Sequence, residues 1–146
     1  MDYLGFFAVT AGQGARERAE KLKNNGEYLK SYLLQALAMG LVEAFAEVIH
    51  QKMRSLWGFP DEPEQSAENI RKGKYQGIRV SPGYSVCPDL GLQKKIFNLL
   101  RPEEAGILLT ETLMMDPEAS ITALVFSHPE ARIFPVKQTI FEETIT

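Results

Sequence analysis

The longest uninterrupted stretch of the sequence, residues 27–56, contains no proline and a single glycine, Gly40. A proline would remove a backbone donor and clash with the preceding turn, so this run permits a helix of about eight turns. Within it Leu29, Leu33, Leu37, Leu41, Phe45 and Val48 recur at spacings of four and three, the period of one helical face. Leu34, Ala36, Ala38, Ala44 and Ile49 spread apolar character onto further faces, which predicts a helix largely enclosed by the rest of the chain. Gln35, Glu43 and Glu47 interrupt its most apolar part, which argues against a bilayer span of about 20 nearly uncharged residues.

Around this helix the pattern is mixed. Residues 2–9 form a short aromatic-rich run closed by Gly12 and Gly14, which favours a strand, and residues 15–23 form a short amphipathic helix. Two prolines and a glycine in WGFPDEPEQ, residues 57–65, end the long helix in a surface loop. Ser66 offers an N-cap for a brief helix, residues 75–80 are extended, and Asp89 can cap a helix over residues 90–100. The β-prone runs 107–115, 120–127 and 131–137 are joined by connections short enough to imply antiparallel neighbours. The fold class is therefore α+β, in one domain spanning residues 1–146.

Hydrophobic residues make up 45% and charged residues 24% of 146, the balance of a globular domain able to build one packed core. A net charge of -3 with dispersed Lys and Arg gives no nucleic-acid-binding face. The single cysteine, Cys87, precludes an internal disulfide, and two distant histidines make no metal-ligand spacing. The opening MDYLGFFAV shows neither basic leader nor cleavage site, so a cytoplasmic setting is expected.

Glu43, Glu47, His50 and Arg54 are spaced four, three and four and share one stripe of the long helix. Such a stripe is either a solvated face with local ion pairs or a set of functional charges. Glu43 lies in the most apolar part of the helix, so its carboxylate requires a cationic partner, from the chain or from a ligand. The AGQGAR segment with Gly12 and Gly14 lacks the rest of a dinucleotide fingerprint and reads as a turn. Cys87 has no base beside it in sequence, and His50 and His128 read as a helix-surface and a turn residue.

Residues 79–89, RVSPGYSVCPD, carry more. They place a guanidinium, a Pro-Gly turn, a tyrosine ring and a run of backbone close together. That combination offers a carboxylate clamp, an aromatic face and main-chain groups for a heterocycle, which suits a zwitterionic ligand bearing an aromatic base.

DYLGFFAVTAG at residues 2–12, LVEAFAEVIH at 41–50, WGF at 57–59, YQGIR at 75–79, GYSVCPD at 83–89, LTET at 109–112 and FSHPEARIF at 126–134 together resemble the activation domain of cobalamin-dependent methionine synthase. The resemblance implies a C-shaped domain in which helices pack on a curved antiparallel sheet and S-adenosylmethionine is bound. Asp2 and Glu43 match acidic residues at the ligand's amino group and site, Arg79 matches the arginine at its carboxylate, and Tyr84 and the backbone around Val86 match aromatic and main-chain contacts. Ser85 stands where the family usually has proline, and Ile133 and Phe134 stand where many members carry tyrosine. Relative to the family the chain is short at both ends.

What the resemblance implies for activity is a supporting role in reductive remethylation of cob(II)alamin. Cobalamin would come from a cobalamin-binding domain, and the electron from a flavodoxin-like or other reductase. The chain would need no general base of its own, only to position the methyl group and exclude water. The alternative is a non-catalytic docking module for a corrinoid protein or redox partner.

Overall fold

The computed structural model describes residues 3–134. Strand β1 (Leu4–Thr10) leads through a glycine turn into α1 (Ala15–Asn24) and the long α2 (Tyr28–Leu56). A loop, the short α3 (Ala67–Arg71) and β2 (Ile78–Val80) follow, then α4 (Leu92–Leu100), a 3-10 turn over Pro102–Ala105, the two-residue strands β3 (Leu108–Leu109) and β4 (Met115–Asp116), and β5 (Ser120–Phe126).

The main sheet has the order β1-β5-β2, antiparallel throughout, with Phe7 opposite Ala123 and Arg79 opposite Val125. As the central strand, β5 is enclosed on both faces, and alternate side chains serve the two layers. Phe7, Val9, Ile121, Ala123 and Val125 pack with Ala38, Val42 and Ala46 of α2. On the opposite face the buried Thr122 hydroxyl donates to Gln93 Oε1 of α4 at 2.7 Å. Gly5 makes the α2 layer possible at its far end, because a β-carbon there would collide with Met53 and Trp57. Gly77 has φ near 83°, and a side chain on it would meet the Phe126 carbonyl, so the entry to β2 demands glycine.

The long helix forms where expected but is not enclosed. Its buried stripe is Ser31, Ala38, Val42, Ala46, His50 and Arg54, whereas Leu29, Leu33, Leu37, Leu41, Phe45 and Val48 all face outward. Small residues let the helix axis approach the sheet closely, and this geometry selects the Ala-Val-Ala stripe over the leucine stripe. By length and composition alone α2 also qualifies as a candidate membrane span, contrary to the reading from its acidic residues. Its inner stripe, however, sits on a hydrogen-bonded sheet and ends in an ion-paired arginine.

Two strand expectations are corrected as well. Residues 107–115 are not one strand but the start of a small hairpin, in which Leu113 has φ near 65° and the Thr110 hydroxyl bonds the backbone of Met114. Residues 131–134 carry no strand, and 135–137 lie outside the described residues.

Candidate functional site

Pairing with β5 fixes the backbone of β2, and from it Arg79 reaches the outer turn of α2. Its Nη2 lies 3.6 Å from Glu43 Oε2 and 3.7 Å from Glu47 Oε2. Both are ion pairs beyond ordinary hydrogen-bond length, and among the described residues nothing else claims the guanidinium. Glu47 continues the chain of charges. Its Oε1 is 3.4 Å from Arg54 Nη2 and its Oε2 accepts the Tyr75 hydroxyl at 3.3 Å.

Behind these groups is a buried cluster. Arg54, 1% exposed, donates from Nε and Nη2 to both oxygens of Asp61 at 2.6 Å each, and the Asp61 side chain is itself only 4% exposed. The Tyr75 ring stacks on the Arg54 guanidinium at 3.8 Å and meets the His50 ring edge-on at 5.1 Å. Burial works against the Arg54 charge, but the Asp61 hydrogen bonds and the surrounding carboxylates outweigh it and raise its pKa. The His50 pKa is lowered to about 3, by burial first and by Arg54 and Arg79 second, so the ring is neutral. Burial, with the Glu47 charge beside it, pushes the Tyr75 phenol up.

The loop after β2 folds back on itself. Gly83, with φ near 91°, donates to the Cys87 carbonyl at 2.8 Å, and Cys87 donates to the Tyr84 carbonyl at 2.8 Å. This tight turn projects Tyr84 into solvent beside a cleft of about 900 Å³. Glu43, Arg79, Tyr84, Ser85, Val86 and Ile133 line that cleft, so one concavity gathers six residues that the sequence singles out. Phe134 is exposed and not part of the lining, and Asp2 lies outside the described residues. A second cavity of about 680 Å³, with Met39, Leu113 and Met115 in its wall, shares Glu43, Ser81 and Tyr84 with the first.

The α2 charge stripe differs from expectation in where it is buried. The Glu43 side chain is 54% exposed, while His50 and Arg54, seven and eleven residues further along, are sealed. The cationic partner required by Glu43 is Arg79. Asp61 and Tyr75 were not singled out from sequence. The one available signal was that an arginine on the inner stripe requires a carboxylate, and WGFPDEPEQ supplies three candidates. Cys87 is a free, half-buried thiol, Gly14 caps α1 as a turn, and the described residues contain no group of three metal-ligating side chains.

The family described as "Vitamin B12 dependent methionine synthase, activation domain" matches residues 1–145. Among solved structures, the MetH reactivation domain bound to AdoHcy superimposes with a TM-score of 0.82 at 33% identity, over 90% of this chain. The chain spans 41% of the length of that structure. With the family match over nearly the whole chain and the superposition in agreement, the chain belongs to the family of vitamin B12 dependent methionine synthase activation domains.

Proposed function

We propose that the cleft beside Arg79 binds S-adenosylmethionine and orients its methyl group for reductive remethylation of a corrinoid carried by a cobalamin-binding domain. The observation that carries this reading is the Arg79 guanidinium, opposed by Glu43, in the wall of a cleft large enough for the ligand. Arg79 would take the ligand carboxylate in a forked pair, and Glu43, half in solvent, would take the ammonium. The Tyr84 ring and the backbone around Val86 would hold the remainder. The AdoHcy in the related structure shares the amino-acid head and the adenosine of this ligand and lacks its methyl group.

Four cationic residues, Lys72, Lys74, Arg79 and Arg132, line the cleft against one carboxylate, Glu43, a balance that favours the carboxylate end of the ligand. When bound, S-adenosylmethionine supplies a methyl group on positively charged sulfur. The chain's own task is to hold that group in line and keep water away, which requires no proton transfer. The corrinoid and the electron, from a flavodoxin-like or other reductase, would come from partners.

Titration calorimetry with S-adenosylmethionine is expected to show binding that Arg79→Ala weakens by about 1.5–3 kcal/mol, as for hydrogen bonds to a charged group. Folded protein that takes up no S-adenosyl compound contradicts the reading. A second reading, a docking module without ligand affinity, draws on the apolar outer face of α2. Capture of a corrinoid protein by chain that shows no ligand affinity would favour it.

A further inference from the structure

Glu43 and Glu47 both approach Arg79, yet their surroundings differ. Glu43 is half exposed, and among the described residues its carboxylate meets only Arg79. The Glu47 carboxylate is occupied on both oxygens, by Arg54 at 3.4 Å on one and by the Tyr75 hydroxyl at 3.3 Å on the other. Those partners are themselves fixed. Arg54 is forked onto the buried Asp61, and the Tyr75 ring lies on the Arg54 guanidinium. A carboxylate so committed is a poor ligand group and a good fixed reference point.

We propose that Glu47 is a positioning residue for Arg79: it aims the guanidinium at the ligand carboxylate, and Tyr75 and the Arg54–Asp61 pair hold it in place. The proposal rests on the S-adenosylmethionine reading above. A free arginine side chain samples many rotamers and loses that freedom on binding. An immobile anion 3.7 Å from Nη2 narrows the rotamers beforehand. The separation is long enough that the guanidinium donors are not consumed. In this way Asp61, in the loop after α2, acts on the ligand through three intervening side chains, Arg54, Glu47 and Arg79.

The test is a double-mutant cycle read by calorimetric titration with S-adenosylhomocysteine, using wild-type chain, Glu47→Gln, Arg79→Ala and the double variant. Glu47→Gln is expected to weaken binding about tenfold when Arg79 is present and less than about twofold when it is absent. A merely structural role would weaken binding equally in both backgrounds, and that result overturns the proposal while leaving the functional reading intact. If Glu47→Gln melts below the assay temperature, Tyr75→Phe takes its place, with an expected loss of about threefold that again requires Arg79. Wild-type chain that binds no ligand overturns both the proposal and the reading.

Discussion

The two faces of α2 invert the usual rule. Its outer face presents Leu37 and Leu41, each more than half exposed, with Phe45 and Val48 beside them, while its inner face seals His50 and Arg54. Hydropathy alone would turn the helix over. What decides is the neighbour: a sheet that approaches closely selects Ala38, Val42 and Ala46, and the helical period then carries His50 and Arg54 onto the same buried line. An arginine placed there must be neutralised, and Asp61, Glu47 and Tyr75 converge on it. The same convergence brings a fixed carboxylate to Arg79. Burial of charge at one end of the helix and organisation of the site are thus one structural event.

Removing the buried charge should have the largest effect. Arg54→Ala leaves Asp61 buried and unpaired and is expected to cost about 3–5 kcal/mol in urea unfolding at neutral pH. Replacing both partners, Arg54→Met with Asp61→Leu, is expected to recover most of that stability while lowering ligand affinity, since the anchor for Glu47 goes with it. A double variant as unstable as the single one would show that the pair contributes more than mutual neutralisation.

Acid should produce an intermediate effect through His50. In the folded chain the ring stays neutral down to about pH 3, held there by burial and by Arg54 and Arg79, with Asp61 opposing; in the unfolded chain it takes up a proton below the ordinary histidine value of 6.5. The unfolded state therefore binds the extra proton between these values, and stability falls as pH is lowered through that window. The expected slope is about 1.2 kcal/mol per pH unit between pH 6 and 5. His50→Phe should flatten the unfolding midpoint over that interval, and an unchanged slope would place the proton elsewhere.

The outer face should respond least. Leu37→Gln is expected to change stability by no more than about 0.5 kcal/mol, because little apolar area is covered there. A loss of about 2 kcal/mol in the same unfolding assay would show that the leucine face is covered in solution.

Much of this was legible in the sequence where local chemistry decides. The extent of α2 follows from the absence of proline, the turn at residues 81–84 from its Pro-Gly pair, and the sheet-forming runs at β1 and β5 from their apolar content. The orientation of α2 was not, because periodicity identifies stripes without saying which one meets the sheet. The β3–β4 hairpin was hidden because Leu113 occupies a left-handed conformation that its residue type does not advertise. Within the site, Arg79 on β2 and Tyr84, Ser85 and Val86 on the loop that follows it are close in sequence and could be read together. Tyr75 and Asp61 could not, since they reach the α2 charges only through tertiary packing.

In the proposed complex Arg79, opposed by Glu43, receives the amino-acid head of an S-adenosyl ligand. A crystal structure of the chain with S-adenosylhomocysteine tests it most directly. The ligand carboxylate is expected at about 3 Å from the Arg79 guanidinium, with the rest of the molecule along the loop at Tyr84 and Val86. A ligand seated instead in the cavity walled by Met39 and Leu113, or with its carboxylate turned away from Arg79, would contradict it.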